Sequence, residues 1–268
     1  MTETGTHPGW FDCGVNLFST RFAGIEQQIQ RRAQQAGVNG LLLIGSDIDE
    51  SRQNQQFCIT QGGSYTTAGV HPHQAANVAN DWLEQLASLL ALPAVVAVGE
   101  CGLDFNRDFS PRLQQQYVFA SQLQLAKNKQ KPVYLHERDA FTTQLGMLKE
   151  QQVSHGVAHC FTGDSSQLKA YLDLGLYIGV TGWVCDERRG QSLQQAIQYL
   201  PLDRILLETD APYLLPRTIK PRPKYNEPAL LPVIATEICR LKNISSQQLA
   251  RCTTDNARRL FTLNGLPT

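Results

Sequence analysis

The chain has 268 residues, with 24 basic and 24 acidic side chains, so it carries no formal net charge and its pI is near neutral. That balance excludes a polybasic tail or a broadly basic surface as the means of finding partners. Hydrophobic residues make up 42% of the chain, which excludes disorder and supports a sizeable core, and the length suits one large α/β barrel or two ordinary domains.

In chain order, the first ten residues, MTETGTHPGW, lack the positive and then apolar stretches of a secretory signal. They are read as a flexible N-terminal extension. The greasiest stretch, residues 86–98, is broken by Ser88 and Pro93, so no membrane association is expected and the expected compartment is the cytoplasm. Short apolar runs then recur, each bounded by turn residues and followed by a polar stretch with helical spacing. They are FDCGVN ending at Asn16, GLLLIG at Gly45, YTTAGV at Val70, VVAVG at Gly99, PVYLH at His136, GVAH at His159, LYIGVT at Thr181 and ILLET at Thr209. The ends are spaced from 22 residues (His159 to Thr181) to 37 (Gly99 to His136), each gap long enough for a crossover through a helix.

Helix punctuation fits this pattern. A glutamine-rich helix starts near Gly24 and stops before Gly37, and Ser110-Pro111 reads as an N-cap followed by proline at the first helical position. Phe119, Leu123 and Ala126 fall on one face of the helix that follows. Near-continuous hydrophobic strands indicate a parallel sheet covered on its outside. No linker or composition break divides the chain, so the expectation is one (β/α)8 TIM barrel, a single domain over residues 1–268, with a doubly wound open sheet as the alternative. Seven scattered cysteines without a CxxC pair predict neither a disulfide framework nor a zinc ribbon.

Catalytic groups of such barrels stand at the carboxyl ends of the strands. His71 and His73 follow strand three, Glu100 follows strand four, His136 closes strand five, His159 closes strand six and Asp210 follows strand eight. His155, at the start of strand six, faces the other end and is read as structural. Alone, each has an ordinary reading as a hydrogen-bonded rim residue or a helix-start charge. Converging on one end, the imidazoles and carboxylates suit a divalent ion such as zinc, manganese or magnesium, and the chemistry such an ion supports is hydrolysis. Asp210 is expected to serve as ligand and general base together, since Pro212 just beyond it argues against a simple helix start. The segment RTIKPRPK places Arg217, Lys220, Arg222 and Lys224 after strand eight, with Arg188 and Arg189 after strand seven. These read either as phosphate contacts or as solvated loops. Trp183, Tyr213 and Tyr225 nearby could stack on unpaired bases or simply pack.

The segments AGVHPH, VGECGLDF, HCFTG, GWVCDERRG, ETDAPYLLP and NEP (Asn226 to Pro228) closely resemble the TatD family of metal-dependent deoxyribonucleases, in the family's order and from about Phe11 to Phe261. The resemblance implies an amidohydrolase-like barrel acting as a 3′ to 5′ exonuclease on single-stranded DNA or RNA ends, in DNA repair or nucleic-acid degradation. It implies metal ligands at Glu100, His136, His159 and Asp210, with Mg2+ the first expectation and Mn2+ or Zn2+ the alternatives. Catalytic roles fall on Asp210, Glu100 and His71, the last binding or polarising the scissile phosphate. Substrate contacts are expected from His73, Arg188, Arg217 and Arg222, and the protein is expected to act as a monomer.

Most family members begin D-x-H-x-H, whereas this chain reads Asp12-Cys13-Gly14-Val15-Asn16, as in the branch lacking the first-strand histidine pair. The altered start implies a weaker second metal, with Asn16 offering only an amide oxygen. Two other readings stand beside the nuclease: a barrel hydrolase of small amides, esters or lactones using the same ion, and a binding module that has lost catalysis.

Overall fold

The computed structural model of the protein describes residues 9–263. Eight parallel strands pair in sequence order: β1 (Trp10–Val15), β2 (Val38–Leu43), β3 (Ser64–Ala68), β4 (Val95–Asp104), β5 (Val133–Arg138), β6 (Gly156–Ala158), β7 (Tyr177–Val180) and β8 (Ile205–Leu207). Just past β8 the sheet returns to β1 through a parallel bridge between Val15 and Ala211, with Asp210 N–H donating to Gly14 O at 2.9 Å. The ring of neighbours is that of the barrel, and the open-sheet alternative fails because no strand order reverses.

Helices α1 (Glu26–Gln35), α2 (Ile48–Gln61), α3 (Trp82–Leu89), α4 (Arg112–Lys129), α5 (Phe141–Glu150), α6 (Ser165–Asp173), α7 (Gln191–Tyr199) and α8 (Leu231–Lys242) cover the outside, followed by α9 (Ser246–Phe261). The interior of the barrel holds Phe11, Cys13, Leu42, Ile44, Ala97, Tyr134 and Leu206, and Leu260 and Phe261 of α9 pack into the same cluster. That helix therefore closes the amino-terminal end, and Asn256 fastens it by donating to Leu202 O and Ile205 O. Among the described residues no helix is long and apolar enough to cross a membrane.

Most expected boundaries fall within two residues of the observed ones, and Gly37 takes the left-handed conformation (φ 79°) just beyond α1 that a helix end favours. Three expectations need correction. The extension read over residues 1–10 lies outside the described residues for 1–8, but Gly9 and Trp10 are buried and Trp10 already belongs to β1. Ser110 does not cap α4; Pro111 holds the N-cap position, while the Ser110 hydroxyl donates to His73 O and accepts from Ala76 N–H. Glu100 does not follow β4 but lies inside it, because that strand continues to Asp104 after an irregularity between Val98 and Cys101.

Candidate active site

At the carboxyl ends of the strands lies a cleft of about 1070 Å³, lined among others by Asn16, His71, His73, Glu100, His136, His159 and Asp210. The irregularity in β4 aims Glu100 into it. The Gly99 Cα approaches β5 so closely that a Cβ there would stand 2.3 Å from Tyr134 O, and Glu100 N–H donates to Gly45 O instead of to a β5 carbonyl. One oxygen, Glu100 Oε1, then lies 2.8 Å from His136 Nδ1, 3.6 Å from His71 Nε2 and 3.7 Å from His159 Nε2. Asp210 Oδ1 is 4.0 Å from His159 Nε2 and accepts the Asn16 amide at 2.8 Å.

Hydrogen bonds on the far side of each ring decide what its inner nitrogen can do. His159 Nδ1 faces Glu208 Oε2 at 2.7 Å and the Tyr134 hydroxyl at 2.7 Å, so a proton sits there and Nε2 is the nitrogen turned toward Glu100 and Asp210. His71 is arranged the other way. Its Nδ1 accepts His73 N–H, which leaves Nε2–H as a donor pointing into the cleft. His136 Nε2 is buried without a hydrogen-bond partner among the described residues, 3.6 Å from Asp104 Oδ2. His73 commits its Nε2 to Asp104 at 2.6 Å and so braces the cluster from behind.

The charges follow these placements. Burial, only partly offset by Glu100, lowers the His71 pKa to about 3 and keeps the ring neutral. For His159 burial opposes protonation, but Glu208 and Glu100 carry its pKa up to about 10; for His136 the same opposition is overcome by Asp104 and Glu100, which raise it to about 9. Burial would raise Glu100, yet the surrounding imidazoles hold it well below the usual carboxylate range. Asp210 is pushed up to about 7 by burial, against the pull of His159 and with the help of Glu100. Two sets of donors, His71 with Glu100 and His136, and His159 with Cys160 and Asp210, each lie within 4.8 Å of one another. Imidazole nitrogens and carboxylate oxygens gathered this closely fit a divalent cation, which would replace the protons that His136 and His159 otherwise carry.

The end of β1 does not offer a second cage. A Cβ built on Gly14 would lie 2.5 Å from the Tyr134 hydroxyl and 3.5 Å from the Glu208 carboxyl carbon. The space that a histidine would need is filled by the network that orients His159. Glu208 itself lies against the bare Cα of Gly179, where a Cβ would meet its Oε1 at 2.0 Å. Tyr134, Glu208 and Asp104 went unnoticed in the sequence. Tyr134 reads as core, and Glu208 and Asp104 stand in quoted motifs without a pattern that marks them.

The basic residues are less convergent than expected. Arg217 and Arg222 line a smaller depression of about 210 Å³ that shares Trp183 and Leu214 with the cleft, whereas Arg188 lines neither. Arg217 Nε sits 3.0 Å from Asp186 Oδ2, which also binds Arg189 at 3.0 Å, so a charge read as available is already paired. The RTIKPRPK segment contains no acid, but the preceding β7 loop supplies one. Trp183 carries the Arg189 guanidinium 4.3 Å above its ring.

Comparison with known proteins places this architecture. The TatD related DNase family matches residues 11–262. The chain is 47% identical over 255 residues to a 3′-5′ ssDNA/RNA exonuclease TatD of Citrobacter rodentium, covering 94% of this chain and 97% of that protein. It is 46% identical over 265 residues to the protein of the same name from Rahnella sp., covering 95% and 98%. Among solved structures, a TatD homologue from Escherichia coli superposes with a TM-score of 0.88 at 30% identity, covering 95% of this chain and 98% of that one. A lactonase-derived organophosphate hydrolase superposes with a TM-score of 0.66 at 13% identity over 94% of this chain and 95% of that one, a likeness of fold alone.

Proposed function

The chain belongs to the family of TatD-related DNases, and from that membership we propose that it is a metal-dependent 3′ to 5′ exonuclease of single-stranded DNA and RNA. One observation carries the reading: a single carboxylate oxygen, Glu100 Oε1, lies within 3.7 Å of three imidazole nitrogens at the floor of an open cleft. Glu100, His136, His159 and Asp210 would hold a divalent cation, Mg2+ in the first instance, with Mn2+ or Zn2+ as alternatives. Such an ion, when bound, supplies positive charge for a phosphoryl oxygen and acidifies water.

The protein's own groups do the rest. Asp210 accepts the proton of the attacking water, and the Asn16 amide fixes the carboxylate that receives it. Neutral His71 donates Nε2–H to a non-bridging oxygen of the scissile phosphate. The water oxygen bonds to phosphorus, the bond to O3′ of the preceding nucleotide breaks, and that oxygen takes a proton from solvent. The products are a nucleoside 5′-monophosphate and a strand one residue shorter. Glu208 and His73 touch no reacting atom; they orient His159 and Asp104. Arg217 and Arg222 are proposed contacts for substrate phosphates.

Incubation with 5′-end-labelled single-stranded DNA and RNA tests this. A ladder of products shortened one residue at a time from the 3′ end, present with Mg2+ and absent with chelator, is expected. Turnover of a chromogenic ester or lactone with the oligonucleotides left intact would overturn the reading, and so would binding without cleavage under every metal.

A further inference from the structure

Arg21 lies in the loop between β1 and α1, and its guanidinium is held over two aromatic rings at once, 5.3 Å from the centre of Tyr213 and 5.4 Å from that of Tyr225. Lys224 Nζ lies 5.0 Å from the Tyr225 ring. Arg189 and Arg217 share the single carboxylate of Asp186, but the Arg21 side chain makes no ion pair or hydrogen bond among the described residues. A planar cation stacked on rings keeps its N–H edge for a partner with a fork of oxygens.

The clamp is rigid from both sides. Phe22, next to Arg21, is buried, and its N–H bonds Ser19 O while Ser19 N–H bonds Asn16 O, so the loop is fastened to the residue that orients Asp210. Tyr213 N–H bonds Asp210 O at 2.9 Å. Fully buried Asn226 joins the two tyrosines, since its amide donates to Tyr213 O and Thr209 O and it directly follows Tyr225. Tyr213 borders the catalytic cleft, whereas Tyr225 and the exposed Arg21 do not line it, so the guanidinium stands beside the rim and not at the floor.

We propose that Arg21, gripped by Tyr213 and Tyr225, binds the backbone phosphate next to the scissile one on its 5′ side, in the strand the enzyme retains. The direction follows from the chemistry: a strand cut at its 3′ end lies with its remaining 5′ portion toward the rim, where the guanidinium stands. The proposal rests on the exonuclease reading above.

The test compares wild type, Arg21→Ala and Arg21→Lys on a dinucleoside monophosphate, whose only phosphate is the scissile one, and on a trinucleotide and longer strands. Arg21→Ala is expected to leave kcat and KM for the dinucleoside monophosphate unchanged and to raise KM by roughly 5- to 10-fold for every longer strand. The slope of log(kcat/KM) against log[salt] for the longer strands should flatten by about 0.7, the loss of one single-strand phosphate contact. Arg21→Lys should retain the slope and recover part of the KM. Equal effects of Arg21→Ala on all lengths, or no effect on any, would overturn the clamp. A wild-type protein that degrades none of these substrates would instead overturn the exonuclease reading, before any substitution is made.

Discussion

At the floor of the cleft, Glu100 and His136 hang from paired strands, His159 from the residue after β6 and His71 from the turn just past β3, so the strand ends bring three imidazoles to one carboxylate oxygen. At the mouth, the arginines hang from loops, and two of them are drawn onto Asp186. Residues on rigid strands converge because the barrel converges; residues on loops go where local charge takes them. Substitutions at the floor should therefore cost far more activity than those at the mouth.

The largest effect is expected from Glu100→Gln, which removes the charge shared by three rings. Turnover of an end-labelled strand should fall on the order of a thousandfold or more, with the melting temperature near wild type; a fall of less than tenfold would mean that the hub is not catalytic. Next comes Glu208→Gln. It leaves every proposed ligand in place but weakens the bond that fixes the His159 tautomer, so Mn2+ affinity should drop by roughly 10- to 100-fold. Unchanged affinity would show that His159 needs no such brace.

Gly14→His tests whether the floor has room for the histidine found in most family members. Overpacking against the Tyr134 hydroxyl should destabilise the fold by about 1–3 kcal/mol in denaturant unfolding without adding a bound metal. A stable variant that gains an ion would show that Tyr134 yields easily. The smallest effect belongs to the mouth: Asp186→Asn should free Arg189 and Arg217, tighten oligonucleotide binding by about two- to threefold and steepen its salt dependence. Weaker binding would mean that the acid positions the arginines more than it neutralises them.

The same contrast sets what could be read in the sequence. Strand periodicity with a His, Glu or Asp at five of the eight expected strand ends picked out His71, Glu100, His136, His159 and Asp210, which line one cleft because in a parallel barrel the end of each strand is a fixed place. The groups behind them were hidden, since Tyr134, Glu208 and Asp104 act by touching residues 25 to 49 positions away. Pairing of Arg217 with Asp186 joins two loops and leaves no local pattern. Arg21 escaped notice for the same reason, as its partners lie near the other end of the chain. Ser110 looked like a cap because Ser-Pro opens many helices, but the fold uses its hydroxyl to tie down the segment carrying His73.

Metal binding at the floor tests the central claim most directly. Chelator-treated protein, titrated with Mn2+ and followed by electron paramagnetic resonance, should bind about one ion per chain, with a second bound far more weakly because β1 provides no imidazole. The tight site should vanish in Glu100→Gln and weaken in Asp210→Asn. Two ions held tightly through dialysis, or one bound as firmly in Glu100→Gln as in the wild type, would contradict a site centred on the Glu100 carboxylate.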